Sequence, residues 1–158
     1  MIQMSDSPEG VVRRFFAAWA DPQPEELGSF FRADAVWVDG PQGVRRGLDA
    51  IKSELASQLD AVGGAQVEVR LLLSEGSTVM VEQISKSVIG GNPVSAVAMA
   101  VFELDTQGLI KQWREAYDLK SMLDQIEAAG VRPDPATQGT TLPAKAIAHA
   151  LSLFRVAS

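Results

Sequence analysis

Two acids stand where acids are expensive. Glu115 lies in the run 109–119, LIKQWREAYDL, which begins after Gly108 and alternates so that Trp113, Glu115 and Tyr117 share one face. Asp39 ends the run AVWVD and shares a face with Trp37. A carboxyl among buried neighbours costs stability unless it is paired, so it is either a fault or a working group, and a working carboxyl donates or accepts protons. Asp39 precedes a glycine, which is also ordinary turn chemistry. Glu115, between two aromatics, has less claim to a place at the surface.

The elements that must carry these side chains follow from periodicity. Ser7-Pro8-Glu9 is a helix start, with Val11, Val12, Phe15, Phe16 and Trp19 at helical spacing and Asp21-Pro22 as the stop. A second short helix is predicted over 24–31, then a strand over 35–39 closed by the turn Gly40-Pro41-Gln42-Gly43. Leu48, Ile51, Leu55, Leu59 and Val62 form one face of a helix that ends at Gly63-Gly64. After it the period becomes two. Runs over 67–73, 79–88, 94–104 and 109–117, joined by short turns, predict an antiparallel meander. A helix over 119–129, a linker over 132–141 and a last helix over 143–156, bearing His149, complete the chain.

This is an α+β arrangement: helices first, then a curved antiparallel or mixed sheet, enclosing a pocket. Residues 1–130 are read as one domain and 131–158 as its linker and C-terminal helix extension. Alternation sorts the pocket walls. Gln83, Ser85 and Ser87 share a face, as do Ala96, Ala98 and Ala100, a row that leaves space rather than filling it. Converging faces would give a mostly apolar cavity with a few polar groups, as small-molecule sites have. Trp37, Val67, Tyr117, Met122 and the alanines are its expected apolar lining, with Gln83 and Ser85 orienting a ligand or bonding each other. The opposite face, with Ile84, Val97, Met99 and Val101, is apolar enough to meet a second copy, so a homodimer is expected.

Composition removes several classes. At 158 residues, 46% hydrophobic and 22% charged, the chain can bury a core. A net charge of −6 without basic stretches argues against nucleic acid and anionic membranes. With no cysteine and one histidine, thiolate chemistry and multi-histidine metal sites are excluded, and no metal or other cofactor is expected. Neither a signal peptide nor a membrane-length apolar run is seen, so a cytoplasmic protein is expected.

The run 34–51, DAVWVDGPQGVRRGLDAI, together with WREAYDL from Trp113, resembles the limonene-1,2-epoxide hydrolases. These belong to the NTF2-like (cystatin-like) superfamily of α+β cones, with ketosteroid isomerase and the SnoaL-type polyketide cyclases. The resemblance covers about residues 8–125. It implies that Glu115 holds the slot of the water-activating Asp, Trp37 that of a water-holding Tyr, and Asp39 that of an Asn. The family's Arg and second Asp are matched by Gln83 and Ser85, which supply neither charge nor acid. Asp39 also falls where ketosteroid isomerases keep their base, with Phe15 and about Ala98 in place of the oxyanion donors. The resemblance therefore implies a carboxylate pair, Asp39 and Glu115, around one solvent position. With no Arg between them, one pKa should rise and the pair should hold one proton. Such a pair suits epoxide opening by water or by cyclisation, or a proton shift beside a carbonyl, on a terpenoid, polyketide or steroid-sized molecule. A non-catalytic binder and a dimerisation module are the other readings.

Overall fold

The computed structural model describes residues 6–128. The linker, the helix expected over 143–156 and His149 lie outside the described residues. The order of elements is α1 (Pro8–Ala18), α2 (Pro24–Gly28), β1 (Phe31–Asp39), β2 (Gly43–Arg46), α3 (Leu48–Val62), β3 (Gln66–Glu75), β4 (Thr78–Ile89), β5 (Asn92–Leu104), β6 (Ile110–Tyr117) and α4 (Leu119–Ala128). One six-stranded sheet runs β2-β1-β6-β5-β4-β3.

Helix α1 forms where the sequence predicts it. The Ser7 hydroxyl accepts from the Gly10 N–H, Pro8 occupies the first turn, and Val11, Val12, Phe15 and Phe16 are the buried stripe. Two boundaries differ from expectation. Helix α2 stops at Gly28, and Phe31 already belongs to β1, where it is buried and pairs in register with Ile110. From Gly43, at the end of the 39–43 turn, the chain returns as a short strand, β2, that the sequence does not announce. Its Val44, Arg45 and Arg46 lack alternation, because β2 is an edge strand with little to bury.

Strands β3 to β6 form the expected antiparallel meander. The sheet is nevertheless mixed, because β1 lies parallel to β6. The pairing sets Trp37 opposite Trp113 and Asp39 opposite Glu115. Successive rows can then be read across the concave face. Trp37, Trp113, Phe102 and Val79 make an apolar row; Asp39, Glu115, Ala100 and Val81 make the next; Tyr117, Ala98 and Gln83 follow. Ala96, Ser85 and Val67 come last.

The core sits under the first row. Phe15 of α1 meets the rings of Phe30, Phe31, Phe102 and Trp113 edge-on at centroid distances of 5.2–5.7 Å. Trp37 stacks flat on Trp113 at 4.6 Å. On the convex face Leu71, Leu73, Met80, Val97 and Met99 are exposed. Among the described residues no helix is long and apolar enough to cross a membrane.

Because Phe15 is wholly buried and joins the helix to three strands, Phe15→Ala should cost about 3–5 kcal/mol. A urea transition displaced by less than about 1 kcal/mol would show that α1 is not needed to hold the sheet curved.

Candidate active site

The β1–β6 pairing builds the site. At its end, the Gly40 N–H donates to the Glu115 carbonyl at 2.9 Å. A Cβ on Gly40 would stand 2.6 Å from that oxygen, so only glycine lets β1 approach so closely. The chain then turns back, with Gln42 N–H donating to the Asp39 carbonyl and Gly43 at φ +103°. This tight hairpin places the Gln42 side chain over Tyr117, where its Nε2 donates to the hydroxyl.

Glu115 Oε1 accepts from Trp37 Nε1 at 3.2 Å. Among the described residues no arginine pairs with it. Arg114, on the opposite face, binds Glu103 and Gln112 instead. Glu115 borders the cavity. Burial drives its pKa up, the nearby charge of Asp39 adds to the rise, and the Trp37 bond offsets a little; the result is about 8. At neutral pH Glu115 is a carboxylic acid. With Oε1 turned to Trp37, the proton falls to Oε2.

Asp39 is 1% exposed. Its Oδ1 accepts from the Tyr117 hydroxyl at 2.9 Å and its Oδ2 from Gln58 Nε2 at 3.3 Å. Burial raises its pKa too, but the Tyr117 and Gln58 bonds and the charge of Arg45 pull it back. The two acids are thereby driven apart. Glu115 is desolvated with one donor, whereas Asp39 is desolvated with two donors and a cation. Tyr117 is held neutral, its pKa raised first by burial and then by both carboxyl groups.

The expectation that no Arg offsets the pair is corrected here. Arg45 of β2 lies near Asp39 and pairs with Glu54 at 3.3 Å, and Glu54 in turn accepts from Gln58. Gln58, Gln42, Arg45 and Glu54 are site residues the sequence reading missed. Gln58 had a signal: it falls three residues after Leu55, on the apolar stripe of α3, where a polar side chain needs a reason. Arg45 and Gln42 had none, because only the hairpin brings them in.

Above these groups is a cavity of about 190 Å³. Glu115, Tyr117, Gln83, Ser85, Ala96, Ala98, Val67 and Met122 line it, as the alternation placed them. Trp37 and Asp39 do not. Trp37 lies behind Trp113, in the stack, and Asp39 is screened by Tyr117 and Gln58. Both sit on the strand beyond β6, one layer too far from the cavity. Trp113 is buried in the aromatic core yet also forms part of the wall. The far end is closed by Val62, Ile89, Val94 and Ile126. No group of three or more metal-binding side chains occurs among the described residues.

The model of the SnoaL-like domain matches residues 12–113, from α1 through Trp113. The chain belongs to the SnoaL-like domain family. No curated protein sequence matches it. Solved structures do, at low identity. A hypothetical protein from Catenulispora acidiphila with a ketosteroid isomerase-like fold, solved with trimethylamine, is 25% identical, with a TM-score of 0.67 over 76% of this chain and 93% of that one. An LEH-like epoxide hydrolase from M. tuberculosis is 24% identical, with a TM-score of 0.64 over 77% and 92%. SalBIII, an epoxide hydrolase/cyclase-like enzyme of pyran ring formation in the polyether salinomycin, is 20% identical, with a TM-score of 0.65 over 72% and 92%. The shared fold is the NTF2-like α+β cone. In this SnoaL-like protein, Glu115 and Tyr117 lie just beyond the matched segment.

The raised Glu115 pKa fixes a sign for stability. Folding retains a proton that the unfolded chain releases at the usual 4.5, so stability is greatest below that value and falls as pH rises to about 8. The slope is about 1.4 kcal/mol per pH unit for one group, with Asp39 acting in the same direction. Glu115→Gln should flatten the decline between these pH values in denaturation measured across the range. An unchanged slope would mean that Glu115 ionises freely in the folded protein.

Proposed function

We propose that this SnoaL-like protein is a cofactor-independent enzyme that opens an epoxide on a small apolar molecule, by water or by cyclisation. The observation that carries the reading is Glu115, a carboxyl held protonated beside an apolar cavity and set in register against Asp39, which has more hydrogen-bond donors. An epoxide oxygen needs a proton as its C–O bond breaks, and an acid with a pKa near neutrality is well suited to give one. A cavity of about 190 Å³ favours a compact terpenoid or polyketide fragment over a steroid.

In this reading Glu115 Oε2–H protonates the epoxide oxygen while a nucleophilic O–H attacks the ring carbon. That O–H loses its proton to the Tyr117 oxygen as Tyr117 passes its own to Asp39. The product leaves Asp39 protonated and Glu115 ionised, and transfer of one proton between the two restores the start. Asp39 thus acts through Tyr117, because the cavity does not reach it. The fixed donors Gln42 and Gln58 hold this relay in line without adding charge.

A second reading has its own observation. Both Asp39 oxygens are already occupied, and among the described residues no cation pairs with Glu115, which fits a protein that binds an apolar ligand without turning it over. A proton shift beside a carbonyl would use the same pair. Glu115→Gln and Asp39→Asn should each lower kcat/KM on limonene oxide or a hydroxy-epoxide by about 10²-fold or more, with melting temperature and circular dichroism still those of a folded protein. Full rate in either variant sinks the relay, and no turnover by the wild type across epoxides and enolisable ketones leaves the binder.

We also propose a homodimer through the convex face. Leu71, Leu73, Met80, Val97 and Met99 form one apolar surface across three neighbouring strands, and a two-fold axis lets such a surface cover itself. Sedimentation should show a dimer that Met99→Glu converts to a monomer; a wild-type monomer at micromolar concentration refutes it.

A further inference from the structure

Most polar atoms at one wall of the cavity are paired inside the protein; Gln42 Oε1 and Trp113 Nε1 there have no partner among the described residues. Glu115 holds Trp37, the Tyr117 hydroxyl lies between Asp39 and Gln42, and Gln58 joins Asp39 to Glu54. Gln83 stands on the other wall. It is 4% exposed, its side chain lines the cavity, and its Oε1 accepts no hydrogen bond from any described residue. A buried, unpaired carbonyl destabilises the fold. Val81, two residues earlier on the same face of β4, shows what stability alone would place there.

The register says where this acceptor stands. Gln83 of β4 is the partner of Ala98 on β5, and Ala98 is the partner of Tyr117 on β6. One row away, Ala100 separates Val81 from Glu115 in the same way. Alanine side chains end at Cβ, so β5 is the floor of a trough whose two walls are β4 and β6. Backbone to backbone the walls stand about 9–10 Å apart, two strand spacings. One wall carries the acid and the phenol. The other carries the Gln83 amide, with Ser85 and Ser87 further along the same strand.

We propose that Gln83 determines ligand specificity by accepting a hydrogen bond from a hydroxyl group, so that the protein takes hydroxylated small hydrocarbon skeletons. The ligand lies on the alanine floor with its hydroxyl towards β4 and its remaining functional group towards Glu115. A carbonyl oxygen accepts and cannot donate, and a ligand apolar at this point leaves Oε1 unpaired. Discrimination built on such a group is steeper than discrimination by shape in an apolar pocket, because the wrong ligand strands a buried polar atom. This assignment rests on the cavity being a small-molecule site, as in the reading above, but not on that site being catalytic.

Binding of α-terpineol and p-menth-1-ene to the full chain tests it. The two share one skeleton and differ by one hydroxyl, and Trp113 in the cavity wall provides a fluorescence signal. The wild type should bind the alcohol about tenfold more tightly, as one hydrogen bond to an otherwise unpaired group gives. Gln83→Leu should abolish or reverse that preference while melting at a higher temperature, since the stranded carbonyl is gone. Gln83→Met, closer in shape, serves if leucine disturbs the packing. Equal affinity for the two compounds in the wild type overturns the assignment, and so does an alcohol preference that survives in both variants. Binding of neither compound overturns it together with the small-molecule reading. Because titration requires no turnover, loss of activity in Glu115→Gln bears on the acid alone.

Discussion

The parallel pairing of β1 with β6 is the constraint on which everything else rests. It stacks Trp37 on Trp113 and sets Asp39 against Glu115 one row higher. The aromatic row is dry and rigid, fixed from below by Phe15. Two residues along, the same two strands present two carboxyl groups. An indole N–H from the buried row reaches up to one of them, which fixes its orientation and leaves its other oxygen free. Rigid packing and the two carboxyl groups are adjacent because a strand repeats its facing every second residue.

The electrostatics follow from how unequally the two acids are served. Both are withdrawn from water, which favours their neutral forms. Asp39 gains Tyr117, Gln58 and the field of Arg45, whereas Glu115 gains one indole N–H. The inequality comes from topology. Asp39 ends β1 beside the hairpin and α3, and those two elements bring the polar partners. Glu115 lies inside β6, between β1 and β5, where the neighbours on its face are Asp39 and Ala100. Position in the sheet thus separates the two carboxyl groups, with Arg45 serving only one of them.

The cavity is the complement of this arrangement. Three alanines on β5 keep the centre of the concave face low, and α4 covers the apolar end through Ile126. A sheet with larger residues on β5 would have filled its own trough. Such a site leaves a few polar atoms unpaired. Gln42 Oε1, Gln83 Oε1 and Trp113 Nε1 have no partner among the described residues, and all three belong to residues that line the cavity. Departures from full hydrogen bonding are concentrated where a ligand would lie, as functional sites commonly show.

Much of this was legible in the chain. Strand alternation assigned Gln83, Ser85, Ala96, Ala98, Glu115 and Tyr117 to the cavity face, and helical spacing gave α1 and α3, because those periods are set by backbone geometry. Ser7 with Pro8 marked a helix start for the same local reason. Other features were beyond it. That β1 pairs with β6, that Trp37 and Asp39 stand a layer behind the wall, and that Gln42, Arg45 and Gln58 gather around Asp39 depend on contacts between distant segments, for which a single sequence carries no period. Local repetition determined which way each side chain faces. Only the tertiary structure decided what it faces, because burial, and with it the splitting of the two acids, is created by the neighbours that folding brings.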